Sequence, residues 1–317
     1  MPDIDEPESA GFRSGFVCFV GRPNTGKSTL TNALVGAKIA ITSSRPQTTR
    51  HTIRGIVHRE HAQLILVDTP GLHRPRTLLG QRLNDLVRDT YAEVDVIAQC
   101  FPADEKIGPG DRWIHEQLRQ VAPRTPLVGV VTKIDKVGPQ QVAEQLLAVA
   151  ALLGPESEVV PVSATRSEKL GGDTAKTGNL ETVVDVLASQ LPEGPAFYPD
   201  GELTDEPEET LMAELIREAA LEGVRDELPH SLAVVIEEVT EREGREDMLH
   251  VHALLYVERP SQKAIVIGKG GARLKEVGTN ARRQIEHLLG TKIYLDLHVK
   301  VAKDWQRDPK QLGKLGF

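Results

Sequence analysis

Two domains in series are predicted, an α/β unit on a mostly parallel sheet followed by a smaller α+β unit. Three observations predict this. The chain has 317 residues, 39% of them hydrophobic and 26% charged, a length that carries a prior of about two domains. From Gly15 to about Leu191 short apolar runs alternate with helical stretches, the pattern of a parallel sheet covered on both faces. After a Pro-rich acidic stretch the pattern changes to β-branched runs separated by a polar turn, which reads as paired strands.

Residues 1–14 (MPDIDEPESAGFRS) are acidic and polar and are expected to be disordered. Residues 15–191 hold, in order, FVCFV, STLTNALVG, AQLILVDTP, VDVIAQCF, a helix around Trp113–Val121, LVGVVTK, QQVAEQLLAVAALL, EVVPVSA and NLETVVDVLASQL. Pro192–Thr210 has four prolines, seven acids and no Lys or Arg, too little apolar surface to bury, so 192–207 is expected to be a linker. In 208–303 a helix from about Glu208 to Glu222 precedes SLAVVIEEV and MLHVHALLYVE, joined by TEREGRED. AIVIGKGG then reads as a strand entering a glycine turn, followed by a helix with apolar Leu274, Val277, Ala281, Ile285 and Leu288 and the strand TKIYLDLHVKV. Residues 304–317 are expected to be a basic tail.

Composition excludes several classes. Cys18 and Cys100 are the two cysteines; they cannot build a disulfide framework, and on core strands they are expected to pack as small hydrophobes. The N-terminus lacks the basic start and apolar core of a secretory signal, and no window reaches the roughly 18 apolar residues of a membrane span. A cytoplasmic protein is expected. The net charge is −8, yet Lys263–Lys314 holds twelve Lys/Arg against five Asp/Glu, so that segment carries +7 and the rest −15. Such asymmetry points the basic part toward an anionic partner. His250 and His252 alternate on a strand without further ligands at metal spacing, so no metal role is expected of them, and Trp305 is expected to pack against the last strand rather than stack on a base.

The strand FVCFV runs into Gly21, Arg22, Pro23, Asn24, Thr25, Gly26, Lys27, Ser28 and Thr29. This G-x-x-x-x-G-K-[ST] pattern curls backbone N–H groups around phosphate at a helix start, with Lys27 on the β- and γ-phosphates and the Ser28 hydroxyl on magnesium. Forty-one residues after Lys27, the strand LILV ends in Asp68, Thr69, Pro70 and Gly71. Asp68 is placed to hold the magnesium shell, and the Gly71 N–H to sense a γ-phosphate. Between these motifs Thr48 or Thr49 could add a hydroxyl to the magnesium. PLVGVVTKIDK ends at Thr132, Lys133 and Asp135, and Asp135 matches the N1–H and 2-amino donors of guanine, which adenine lacks. EVVPVSA ends at Ser163 and Ala164, where a backbone N–H can reach the guanine O6. GTP and GDP with Mg2+ are therefore the expected ligands.

The order of these elements resembles translation-factor-type GTPases, with two departures. Thr132 stands where the base motif N-K-x-D has Asn, so weaker nucleotide affinity with guanine choice retained is expected. Leu72 follows DTPG where small signalling GTPases carry a water-orienting glutamine, so hydrolysis must rely on other groups. Lys27 is the expected catalytic cation, and Asn24 is a candidate for holding a K+ ion that assists it, its alternative role being to stabilise the loop.

In the basic domain Gly268-Lys269-Gly270-Gly271 resembles the GxxG loop of KH domains, whose glycines admit a nucleic-acid backbone close to a helix N-terminus. Its flanks match the second, bacterial type of KH fold. The fold class is thus a P-loop GTPase parallel-sheet domain followed by an α+β type 2 KH domain. Gly268, Lys269, Gly270, Gly271, Arg273 and Lys275 are the expected RNA contacts.

GRPNTGKST, PQTTRH, DTPGLHRP, TKID, VSAT, YPDGELTDEPE, DELPHSLAVVIEE and IGKGGARLKEVG together strongly resemble the bacterial Era GTPases, over roughly Phe16–Trp305. That resemblance implies a GTP-hydrolysing switch that binds the 3′ end of 16S rRNA and serves maturation of the 30S subunit, with peripheral association on the inner face of the cell membrane. A monomer is expected. Two other readings compete with this one. A translation or RNA-modification GTPase would need a large further domain, and the roughly 110 residues after the linker are too few. An RNA-binding scaffold with a structural nucleotide differs in lacking turnover.

Overall fold

The computed structural model describes residues 11–42, 49–50, 52–71, 77–165, 178–222, 232–242 and 245–317. It divides into two compact units, Met1–Ala37 with Thr52–Thr69 and Val87–Asp205, and Lys38–His51 with Pro70–Leu86 and Glu206–Phe317.

The first unit is built on a six-stranded sheet in the order β2-β3-β1-β4-β5-β6. Its strands are β1 (Arg13–Val20), β2 (Ile53–Arg59), β3 (Ala62–Asp68), β4 (Val96–Pro102), β5 (Leu127–Thr132) and β6 (Val159–Pro161). All neighbours pair in parallel except β2 with β3. The helices are α1 (Lys27–Val35), α2 (Leu78–Glu93), α3 (Pro109–Val121), α4 (Pro139–Leu153) and α5 (Leu180–Gln190), with α2 split between the units at Leu86. One core cluster joins Val17, Phe19, Leu30, Leu66, Ala98, Cys100, Val130, Val184 and Leu187. Cys18 and Cys100 are fully buried, and burial pushes both thiols up to about 12, so they behave as small apolar residues.

Three expectations change here. Strand β2 has no counterpart among the expected apolar runs, because IRGIVHR alternates weakly and its exposed Arg54 reads as loop. Arg13 and Ser14, placed in a disordered terminus, already belong to β1. The linker expected over 192–207 is, as far as Asp205, a strap fixed to the sheet. Ile56 N donates to Leu203 O at 2.9 Å, Thr204 Oγ1 to Arg54 O at 2.6 Å and Ser14 Oγ to Pro195 O at 2.6 Å. Buried Gln63 accepts from Phe197 N and Tyr198 N at 2.7 and 3.0 Å and donates to Tyr198 O at 2.8 Å. Composition missed the strap because it is held by backbone groups, which every residue type carries.

The second unit contains a three-stranded sheet, β7 (Ala233–Arg242), β8 (Arg245–Val257) and β9 (Lys292–Val301), in that order. β7 and β8 are antiparallel, β8 and β9 parallel. Helices α6 (Glu208–Leu221), α7 (Pro260–Ile267) and α8 (Ala272–Leu289) complete it. Met212, Ile216 and Ala220 pack with Val277, Ala281 and Ile285 over Val251, Ala253 and Leu255.

Two further corrections follow. The strand expected at AIVI is α7, a helix opened by Pro260, whose fixed φ suits the first turn. Gln262 Oε1 accepts from Glu258 N and Arg259 N, both at 2.9 Å. The β-branched run misled because packing, not propensity, decides so short a segment. The basic tail is folded, with Pro309–Lys314 forming α9 and Trp305, Leu312 and Leu315 buried beside Leu254 and Tyr256. Trp305 is fully buried and stacks on Phe317 at 5.7 Å; it packs as expected, but beside Ala233 of β7, Leu254 and Tyr256 of β8 and the C-terminal residues rather than against the last strand.

Replacing Gln63 by Leu leaves three backbone groups of the strap without partners, so a loss of about 3 kcal/mol is expected in urea denaturation. Amide exchange at Phe197 and Tyr198 should accelerate in the same variant. Unchanged exchange would mean that the strap is held elsewhere.

Candidate nucleotide and RNA sites

The loop after β1 is confined by its neighbours. A Cβ at Gly21 would lie 2.8 Å from the Cys100 carbonyl oxygen and 2.9 Å from Thr25 Oγ1, so only glycine fits. Asn24 is exposed at φ 63°, a left-handed conformation that Asn tolerates better than most residues. Gly26 follows at φ 96° and opens α1. Thr25 Oγ1 donates to Arg22 O at 3.0 Å, and Lys27 Nζ donates to Gly21 O and Arg22 O at 3.0 and 2.9 Å. The ammonium is thus gathered against the loop's own carbonyls. Burial lowers its pKa, and Asp68 opposes that shift. The loop is also braced from outside the motif, since Arg22 Nε and NH2 pair with Asp111 of α3 and Glu105 at 2.8 and 2.9 Å. Sequence reading missed this brace because its partners lie more than 80 residues downstream.

Parallel pairing sets Phe19 beside Asp68, and Ser28 Oγ donates to Asp68 Oδ2 at 2.7 Å. A hydroxyl and a fully buried carboxylate converge there, and this hard oxygen pair suits Mg2+. Thr29 is half-buried on α1 and Thr69 fully buried. Pro70 is buried and Gly71 half-buried in the second unit's segment. Thr49 is buried in that unit too, next to Arg50, while Thr48 and Leu72 lie outside the described residues.

At the end of β5, Thr132 Oγ1 donates to Thr25 O at 2.6 Å. The hydroxyl that replaces the usual amide therefore ties the base motif to the phosphate loop. Lys133 has φ 59° and lies 3.8 Å from Asp104. Ser163 Oγ donates to Asp135 Oδ1 at 2.6 Å, and Ser163 N donates to Gly178 O at 2.9 Å. Ala164 beside it is half-buried. The serine hydroxyl fixes the Asp135 carboxylate, a role not read from the sequence; hydroxyl and acid at consecutive strand ends were the available signal.

In the second unit the glycine loop joins two helices. Gly268 ends α7 at φ 71°, where a Cβ would lie 2.8 Å from Arg273 Cβ, and Gly270 and Gly271 have φ 59° and 78°. Lys269 and Lys275 are exposed, as is Ile265 on α7, an apolar neighbour hidden from the sequence reading by the strand assignment. Arg273, expected at the RNA, is half-buried and bonded within the unit. Its NH2 donates to Ala220 O and Glu222 O at 3.2 and 2.6 Å, closing the C-terminal end of α6.

Residues 16–133 match the family model of 50S ribosome-binding GTPases, and residues 227–306 that of KH domains. GTPase Era of Mycolicibacterium smegmatis is 77% identical over 306 residues, covering 96% of this chain and 99% of the relative. Two crystal structures align over 96% of this chain and 99% of theirs at 37% identity and TM-score 0.88. One is a variant of Aquifex aeolicus Era bound to GDP and AlF4−. The other is Era with MgGDPNP and nucleotides 1506–1542 of 16S ribosomal RNA. Identity of this order, sustained across both units, establishes that the chain belongs to the Era GTPase family.

Proposed function

We propose that this chain is a GTP-hydrolysing, RNA-binding switch that binds 16S rRNA near its 3′ end and acts in assembly of the 30S subunit. The likeness along nearly the whole chain to a structure holding both a GTP analogue and 16S nucleotides carries this reading. The family model that mentions the 50S particle matches only residues 16–133, so the RNA partner is argued from the full-length relative. The GTPase domain is then 15–191 with the strap, less 38–51 and 70–86, which group with the second unit, and the KH domain is 208–303 with the folded C-terminal residues. No helix among the described residues is long and apolar enough to cross a membrane. We place the protein in the cytoplasm, with the inner face of the membrane as a peripheral site.

In this reading Gly21–Thr29 surround the phosphates, and Lys27 exchanges two loop carbonyls for β- and γ-phosphate oxygens. Because those carbonyls lie within 3.0 Å of Nζ, the exchange needs little movement. Ser28 and Asp68, with Thr48 or Thr49, would hold the magnesium ion, which neutralises phosphate charge. Asp135, fixed by Ser163, accepts the two guanine donors. Gly71 senses the γ-phosphate through its N–H. The Gly268–Gly271 loop with Lys269 and Lys275 meets RNA phosphates, while Arg273 supports the loop from behind. Multiple-turnover GTP hydrolysis with and without the 16S 3′ segment tests the switch, and crosslinking in cells tests the RNA. Crosslinks away from the 16S 3′ end would overturn the partner.

Asp135→Asn should weaken GTP binding on the order of 100-fold and move preference to xanthosine triphosphate, measured by calorimetry. Wild-type binding of ATP as tight as GTP would sink the assignment.

Hydrolysis should be about tenfold or more faster in potassium than in sodium at equal ionic strength, and Asn24→Ala should remove the difference. Equal rates in both salts would leave Asn24 as a loop residue.

Lys269→Asp with Gly270→Asp should cost about 2–5 kcal/mol in RNA affinity by bringing carboxylates to the phosphate path. The fold should survive, since both positions are exposed and Asp tolerates the left-handed Gly270 backbone. Wild-type affinity should fall with salt by about 0.7 log unit per decade for each neutralised phosphate. Parental affinity in the double variant would remove the loop from the RNA site.

A further inference from the structure

The face of the second sheet opposite its helices divides into two parts. At one end Leu254 and Tyr256 are covered by Trp305 and the C-terminal residues. At the other the surface is open and polar, and two histidines meet there from neighbouring strands. Parallel pairing of β8 with β9 sets His252 across from Asp296. Side-chain alternation brings His298 to the same face. One ligand atom from each of His252, Asp296 and His298 lies within 4.8 Å of the others. His298 Nε2 lies 3.0 Å from Asp296 Oδ1, and the two imidazole centroids are 5.4 Å apart.

A second observation points the same way. The ladder between β7 and β8 shifts register between Ile236 and Glu238, so Glu237 is an extra residue on β7. A bulge re-aims the side chain it carries. Glu237 Oε2 consequently lies 3.3 Å from His252 Nδ1, adding a fourth donor group, a second carboxylate, beside the three. Lys300 Nζ approaches the other oxygen of Glu237 at 3.8 Å and partly offsets the local negative charge.

We propose that His252, Asp296 and His298, with Glu237 beside them, form a surface site for one divalent transition-metal ion of the zinc, nickel and copper class. Two imidazoles and a carboxylate are the donor set such ions take, whereas Mg2+ prefers oxygen alone. A tetrahedral zinc ion holds its ligands about 3.3 Å apart. Closing the remaining gap requires only rotamer changes, and His298 is exposed and able to make them. Sequence spacing hid the site because His252 and Asp296 are separated by a helix pair and become neighbours only through the β8–β9 register. The inference is independent of the nucleotide and RNA readings.

The test uses the full chain, stripped with EDTA and then saturated with GDP and Mg2+ so that the nucleotide site is occupied, and titrated with ZnCl2 by calorimetry. One equivalent should bind the parent. His298→Ala and His252→Ala should each weaken that equivalent about 100-fold, and Asp296→Asn at least about tenfold, since even outer partners of metal ligands are worth about 10–100-fold. Side-chain nitrogen resonances of His252 and His298 should shift together at one equivalent in the parent. His298 is exposed, so its variant keeps the test readable if another fails to fold. Absence of zinc binding by the parent, or binding unchanged in all three variants, would overturn the site.

Discussion

The nucleotide site depends on one constraint, the position of β1 between β3 and β4 with all three strands parallel. The chain leaves β3 for one side of β1 and β4 for the other, and the crevice that opens at such a reversal is where α/β sheets bind ligands. Because Phe19 pairs with Asp68 and Val20 with Gln99, the loop after β1 emerges beside a carboxylate on one flank and the Cys100 carbonyl on the other. A shift of one residue in the β1–β3 pairing would turn the Asp68 side chain to the opposite face.

The site is then tightened by side-chain contacts within the protein. Arg22 joins the loop to α3 and Glu105, Thr132 joins it to the end of β5, and Ser163 fixes Asp135. The bonds of Thr132 and of Arg22 to buried Asp111 lie in surroundings drier than bulk water, where such contacts strengthen and hold geometry, whereas the Arg22–Glu105 pair is exposed. The threonine in the base motif keeps the link between base recognition and phosphate loop, through a shorter side chain and a backbone acceptor. Burial lowers the Lys27 pKa and Asp68 opposes that shift, while the ammonium donates to the Gly21 and Arg22 carbonyls.

In the second unit the same economy appears with different parts. Gly268 permits the close approach of Arg273, and Arg273 in turn closes the end of α6, so the glycine loop is supported from the interior while Lys269 and Lys275 stay exposed. One sheet face is buried under helices; the other is shared between an apolar cluster around Trp305 and the polar end that holds the histidines. Lys38 and Thr42, which no motif covers, bond to the buried Glu218 of α6 and so belong to this unit.

Gly21–Thr29, Asp68–Gly71, Thr132–Asp135 and Gly268–Gly271 were legible in the sequence because their chemistry is local: consecutive residues supply the turn, the donors and the charge. Apolar runs with period 2 or 3.6 likewise located most strands and helices. Short segments were less legible. Ala264–Ile267 reads as a strand by composition, yet it is the end of a helix that begins at Pro260 and packs Val266 into the core of the second unit. The strap over 192–205 and the folded C-terminus contradict their polar composition because backbone bonds and one buried tryptophan hold them. Thus the sequence by itself determined the order of the motifs and the chemistry each can perform. Only the tertiary structure decided the partners of Arg22, Arg273 and His252, because those contacts join residues far apart in the chain and exist only once strand register has been set.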